Sequence, residues 1–244
     1  MTDRIQYDFH THTIFSHGKG TIEDNARAAR EKGLTGIAIA DHGPGHLLYG
    51  VDPRKIPLMR EEISRLRLLF PEMELYLSVE ANIADTENGL DLSKEAFAAY
   101  DFVIAGYHFG IKGGYSGRNF LHHLSRGALP GKNNLLKKNT EMVVRAIYEN
   151  PIRILTHPGD KGPFDIVEIA KACADRGTLL EISAWHSHLT VEEIRQAART
   201  DARFIISSDA HAPEQVGVCA PAIRRAREAG LDLGRVVNIA ECAD

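Results

Sequence analysis

Two hydrophobic rhythms alternate along the chain: short apolar runs rich in β-branched residues, and longer amphipathic stretches with apolar positions at helical spacing. Residues 5–9, Ile-Gln-Tyr-Asp-Phe, read as a first strand, and residues 22–32 as a helix closed by Gly33. Residues 36–40 read as a buried second strand. A helix within 57–70 stops before Pro71, and 75–79 is a third strand. A short helix ending near Phe97 and Tyr100 leads to strand four, 102–105; a helix over 140–150 leads to strand five, 152–155. Asp165 with Glu168 caps a helix that Gly177 ends, ahead of strand six at 179–182. Thr190 with Glu193 repeats the capping pattern before strand seven at 204–206, and a last helix covers 222–229.

Seven such strand–helix units without a break in composition predict one α/β domain over 1–244. The strands should be parallel, because each is followed by a crossover helix. An open dinucleotide-binding sheet is the competing architecture, and it lacks the Gly-x-Gly-x-x-Gly turn after the first strand.

Composition narrows the function classes. The 244 residues are 43% hydrophobic and 25% charged, ordinary for a globular protein. Lys and Arg number 29 against 33 Asp and Glu, a net charge of −4, which argues against a general nucleic-acid binder. No apolar run reaches membrane-spanning length, and Met1-Thr2-Asp3-Arg4 leads into a strand rather than a signal-peptide core. Three scattered cysteines (Cys173, Cys219, Cys242) build no disulfide framework, so a reduced, cytoplasmic setting is expected. Twelve histidines are the compositional oddity, and their placement is what matters.

Strand one ends in Asp8-Phe9-His10-Thr11-His12, strand two in Asp41-His42 and strand three in Glu80. Strand four runs into Gly106-Tyr107-His108, strand five into Thr156-His157-Pro158, and strand seven into Ser208-Asp209-Ala210-His211. Carboxyl ends of strands are where α/β and barrel sites lie. Alternation along a strand puts His10 and His12 on one side, as adjacent metal ligands require. One strand-end histidine is ordinary; six strand ends carrying ligand-type side chains are not surface noise. Imidazoles with a few carboxylates suit zinc, manganese or iron better than magnesium or calcium.

This ordered set of motifs, with Ile39-Ala40-Asp41-His42-Gly43 and Thr156-His157-Pro158-Gly159 in it, resembles the PHP (polymerase and histidinol phosphatase) family over residues 5–240. Within that family it is most similar to the stand-alone YcdX-like phosphatase branch. The resemblance implies a distorted seven-stranded, TIM-like (βα)7 barrel holding three divalent transition-metal ions. It implies that His10, His12, Glu80 and Asp209 hold the first ion. Glu80 would bridge to a second held by His108 and His157, and His17, His42 and His211 would hold a third. The activity implied is hydrolysis of phosphate esters by a hydroxide that bridges two metals, with His10, His12, Glu80 and Asp209 at its centre. All nine positions are filled in this chain, which argues for retained chemistry.

Around that set, Asp8 and Asp41 are placed either to fix histidine tautomers or to cap turn N–H groups. His46, His122, His123, His186 and His188 match no ligand position and read as loop or surface residues; Trp185 reads as a rim residue or a packing residue, packing being preferred. The stretch 109–140 holds Lys112, Arg118, Arg126, Lys132, Lys137 and Lys138, no acidic residue, and glycines at 113, 114, 117, 127 and 131. It reads as a basic flap at the rim, with Arg118 the candidate phosphate contact, or as a solvated loop balancing an acidic body.

The leading expectation is therefore a metal-dependent phosphatase acting on a small phosphorylated substrate, with L-histidinol phosphate as the family's named substrate. A phosphodiesterase for cyclic or nucleotide phosphates is the enzymatic alternative. An amidohydrolase fits less well, because Glu80 and His108 replace the strand-four lysine of such barrels. A non-catalytic module attached to a polymerase is the remaining class. A homo-oligomer is compatible with the sequence; a membrane or nucleic-acid partner is not expected.

Overall fold

Seven strands run parallel and in sequence order, each paired with the next, in the computed structural model, which describes residues 3–111, 115–125 and 131–239. They are β1 (Tyr7–Thr11), β2 (Gly36–Ile39), β3 (Glu74–Asn82), β4 (Phe102–Gly106), β5 (Ile152–Leu155), β6 (Leu179–Ser183) and β7 (Phe204–Ser207). The helices between and after them are α1 (Ile22–Glu31), α2 (Ile56–Leu69), α3 (Ser116–Leu124), α4 (Lys132–Glu149), α5 (Ile166–Arg176), α6 (Val191–Ala197) and α7 (Ala220–Glu228). Local chemistry sets the boundaries. Asp165 accepts hydrogen bonds from the N–H groups of Val167 and Glu168, and Gly177 ends α5 in the left-handed region at φ 69°. Thr190 and Glu193 form a reciprocal capping box. Thr21 and Asp24 form a second one at α1.

The sheet curls into a nearly closed barrel. Phe9, Ala38, Ala40, Ile104, Ile154 and Ile205 fill its interior. The opposite strand faces, including Ile37, Leu75, Leu77, Val79, Leu180 and Phe204, pack beneath the helices. Most positions on both faces of the strands are thus buried, Glu74 and Arg153 being exposed, which is why the strands read as largely apolar runs.

The last gap, between β1 and β7, has no ladder. At its upper end Thr11 bridges Ala210, and the His12 N–H donates to the Ala210 carbonyl at 2.8 Å. At its lower end the buried Asn238 side chain stands in for a strand. Its amide donates to the carbonyls of Tyr7 (2.8 Å) and Ile206 (2.7 Å), and its oxygen accepts from the Ile206 N–H at 3.0 Å. Asn238→Ala would leave these buried backbone groups unpaired, at a cost of about 2–3 kcal/mol. The thermal midpoint is expected to fall by about 5–10 °C, on the scale of about 2–4 °C per kcal/mol for a domain of this size. An unchanged midpoint would show that the upper contacts alone close the barrel.

The stretch 109–140 corrects the expectation of a long loop: most of its described part is helical, in α3 and the start of α4. Asn119 and Asn139, both buried, exchange amide hydrogen bonds at 2.8 and 2.9 Å, and Asn119 also donates to the Tyr107 hydroxyl. α3 is therefore seated on the barrel through polar side chains, a contact that hydrophobic periodicity does not reveal. Lys112, Gly113, Gly114, Arg126 and Gly127 lie outside the described residues.

Candidate metal centre

β3 is the longest strand, and it carries Glu80 into the top of the barrel, fully buried. Imidazole nitrogens from four other elements surround its carboxylate: His42 Nδ1 at 3.0 Å, His157 Nε2 at 3.1 Å, His108 Nε2 at 3.3 Å, and His10 and His12 Nε2 at 3.4 and 3.7 Å. His10 and His12, from the end of β1, face each other through Nε2 atoms 3.1 Å apart. Asp209, just past β7, lies 3.2 Å from His12 and 3.5 Å from His10. His17 and His211 complete the cluster, with ring centroids 4.2 Å apart. All nine side chains singled out by sequence meet in one cleft of about 370 Å³ or directly beneath it.

The donor set fits metal ions. Ligands of a four-coordinate ion with bonds of about 2.0–2.1 Å lie about 3.3 Å apart, which is the spacing found here. His42 Nδ1, Glu80 Oε2 and His108 Nε2 are buried yet make no hydrogen bond among the described residues. Such orphaned atoms are costly unless something satisfies them. Donor atoms within 4.8 Å of one another form the groups His10–His12–Glu80, His10–His157–Asp209, His42–Glu80–His108, His12–Asp209–His211 and His12–His17–His42. His42 thus faces Glu80 and His108 as well as His17, whereas the resemblance shares only Glu80 between ions and gives His42 to the third alone.

The backbone conforms to this arrangement. His157 and Asp209 are both in the left-handed region, at φ 28° and 53°, where side chains other than glycine's are strained. Gly106 ends β4 beside the cluster; a Cβ there would lie 2.3 Å from Thr156 Oγ1 and 2.9 Å from Glu80 Oε1. Only glycine leaves that space open.

Sequence reading missed Glu181. It lies on β6, fully buried, and one oxygen accepts from His10 Nδ1 at 2.7 Å while the other accepts from the His157 N–H at 2.8 Å. Glu181 therefore fixes the His10 ring and holds the strained His157 backbone. Asn82 does the same for His108, with its Oδ1 2.8 Å from Nδ1. The two carboxylates considered for this role do other work. Asp8 accepts from the N–H groups of Ser208 and Gly217 and from the Ser208 hydroxyl. Asp41 accepts from the Thr13 N–H (2.7 Å) and hydroxyl (2.6 Å), and lies 4.0 Å from His12 Nδ1. Glu181→Gln can keep only one of its two acceptors, so metal affinity is expected to fall about 10–100-fold, as for other residues that orient ligands. Titration against a competing chelator would measure it, and unaltered affinity would remove Glu181 from the site's support.

Burial, the largest influence, pushes His17 and His108 down to about 3 and His46 down to about 4, so these rings are neutral as ligands or acceptors must be. Glu80 is held well below the usual carboxylate range: burial opposes this, but His108, His10 and His42 outweigh it. Burial raises Asp41 to about 6 against its bonds to Thr13.

Three residues read as loop or packing positions line the cleft instead. His186 Nε2 lies 3.3 Å from Asp209 and its Nδ1 3.1 Å from Asp160. Burial pulls this ring down, but the two carboxylates raise it to about 9. His46 stacks on His42 at 5.1 Å, and Trp185 stacks on His211 at 5.3 Å with more than half its surface open. Arg118 is exposed on α3 and is not among the residues lining the cleft; Lys161 is the lysine that lines it. His122, His123 and His188 lie outside the cleft lining.

A probable phosphatase of Caldanaerobacter subterraneus subsp. tengcongensis is 31% identical, covering 98% of this chain and 89% of that protein. A probable phosphatase of Thermoanaerobacter pseudethanolicus is 29% identical, covering 96% and 91%. The histidinol phosphate phosphatase of Lactococcus lactis, solved with zinc, L-histidinol and phosphate, shares the fold at a TM-score of 0.62 and 17% identity, over 93% and 94% of the two chains. The PHP domain profile matches residues 8–185, from the start of the strand-one motif to the tryptophan at the cleft mouth, and the chain belongs to the PHP domain family.

Proposed function

We propose that this chain is a metal-dependent phosphoesterase that hydrolyses small phosphate monoesters. The observation that carries the reading is the buried Glu80 carboxylate, with five imidazoles within 3.0–3.7 Å, beneath a cleft open to solvent. His10, His12, Glu80 and Asp209 would hold one divalent transition-metal ion, Glu80 with His108 and His157 a second, and His17, His42 and His211 a third. When bound, such ions make water nucleophilic near neutral pH and neutralise charge on phosphoryl oxygens.

The chain's own residues do the positioning. Glu181 and Asn82 lock the rings of His10 and His108 so that their Nε2 atoms face Glu80. Thr156 donates its hydroxyl to Glu80 Oε1 at 2.7 Å, which keeps that carboxylate in one orientation. Lys161, ion-paired with Asp160 at 2.5 Å, lines the mouth, where it would meet an incoming anionic ester by turning from that carboxylate.

Phosphate release is the test, comparing chelator-stripped protein with protein reloaded with Mn²⁺ or Zn²⁺. The panel holds alkyl and aryl monoesters, L-histidinol phosphate and a cyclic phosphodiester. Turnover of monoesters restored by metal supports the reading. Turnover of the diester alone, or none at all from protein that retains its ions, overturns it.

A further inference from the structure

β3 brings Glu80 and Asn82 to one side of the sheet, two residues apart, and both are fully buried. The chain then doubles back: Ile83 bridges Leu90, and the Asp91 N–H donates to the Asn82 carbonyl at 3.0 Å. This return sets the Asp91 carboxylate between Asn82 and the turn that follows His42.

Three N–H donors surround that carboxylate. Its Oδ1 accepts from the Asn82 backbone at 2.7 Å, and its Oδ2 accepts from the Gly45 backbone at 2.8 Å and the Asn82 side-chain amide at 2.6 Å. The turn is shaped to admit it. A Cβ on Gly43 would lie 2.5 Å from Asp91 Oδ1, and one on Gly45 would lie 2.6 Å from Asp91 Cβ.

Matching donors to acceptors carries this contact to a ligand. A side-chain amide has one end that donates and one that accepts. The end of Asn82 against Asp91 Oδ2 also lies 3.3 Å from the Gly43 carbonyl, so it meets two acceptors and must be the NH2. Its oxygen therefore points the other way, 2.8 Å from His108 Nδ1, where it can only accept. The neutral His108 ring must then carry its proton on Nδ1, which leaves the Nε2 lone pair free, 3.3 Å from Glu80 Oε1.

We propose that Asp91 is a positioning residue of the metal centre: by orienting the Asn82 amide it fixes the tautomer in which His108 offers Nε2 to an ion, and the same carboxylate pins the turn behind His42. Asp91 is not among the residues lining the cleft, so it acts through Asn82 alone. The proposal rests on the reading of the cluster as a metal centre and adds the residue that sets one ligand's proton.

The test is zinc binding by the full chain, measured in competition with a chromophoric chelator, beside the thermal midpoint of the metal-free protein. Asp91→Asn keeps the shape but cannot accept at both ends. The simplest relief is to turn the Asn82 amide over, which aims its NH2 at His108 Nδ1. One zinc ion is expected to bind about tenfold more weakly, the lower end of the range for residues that orient ligands, while the other bound zinc is retained. Asn82→Asp sets two carboxylates face to face and should weaken the same ion, so either single variant serves if the other fails to fold.

The double variant Asn82→Asp/Asp91→Asn again sets a donor against an acceptor and presents an acceptor to His108. Its affinity should return to within about threefold of the unaltered chain, a coupling that independent losses do not produce. Unchanged affinity in both single variants would overturn the proposal. Losses that simply add in the double variant would assign Asp91 to the turn alone and overturn it as well, whatever the midpoint does. Neither measurement needs turnover: absent phosphate release from every ester would sink the phosphoesterase reading, while absent recovery in the double variant would sink this one.

Discussion

Glu80→Gln is expected to abolish phosphate release, by about a thousandfold or more, and to lower the metal content of the purified protein. The carboxylate is fully buried, and its two oxygens face His42, His108, His157, His10 and His12. Gln keeps the shape but removes the negative charge and turns one oxygen into a donor, which then points at imidazole nitrogens that need an acceptor or an ion. Removing a single preorganised electrostatic contact costs about 10²–10³ in rate, and Glu80 makes several at once. Phosphate assays paired with elemental analysis read both effects. A variant that kept its ions and a tenth of its activity would displace Glu80 from the centre of the site.

Metal removal should have the largest effect on stability. Glu80, Glu181 and Asp209 are buried carboxylates, and around them lie imidazoles with nitrogens left unpaired. An ion present at a thousandfold its Kd adds about 4 kcal/mol to the folded state. At about 2–4 °C per kcal/mol, stripping the site should lower the thermal midpoint by at least about 10 °C. The sign with pH follows from linkage. Imidazoles holding ions bind fewer protons than the same imidazoles in the unfolded chain, so the metal-dependent increment rises with pH through the histidine range. It should be present at pH 8 and largely gone near pH 5. Melting curves with and without chelator at the two pH values would show it; coincident midpoints at pH 8 would mean the site does not hold ions tightly.

The strand ends were legible because they are short, polar and sit directly after apolar runs: His10, His42, Glu80, His108, His157 and Asp209 each break a buried strand pattern. Their convergence then follows from parallel strands in a closed barrel. Glu181 was not legible, although its strand was assigned, because Leu-Leu-Glu-Ile looks like any strand with one polar position; its importance comes from facing His10 across the barrel. His186 and Trp185 follow the same strand, and sequence reads them as surface and packing residues because neither matches a ligand position of the family pattern. For Asp8 and Asp41, sequence could propose a carboxylate near the histidines but not choose its partner, and backbone N–H groups took them. The helices of 109–140 were hidden because glycines interrupt that stretch and α3 docks through Asn119 rather than an apolar stripe.

The seam between β1 and β7 bears on how ions leave. His10 and His12 stand on one side of it and Asp209 and His211 on the other, yet among the described residues the two strands are joined near the cluster by no ladder, but by the Thr11–Ala210 bridge, the His12 amide bond and the Asp8 carboxylate that accepts from Ser208. Ions lodged between these side chains would act as rungs that the ladder lacks. Escape of an ion and exposure of the His12 amide would then be one breathing motion, reporting a shared opening rate in hydrogen exchange and in chelator-driven release, with Asn238 as the hinge pin that keeps the rest of the barrel shut meanwhile.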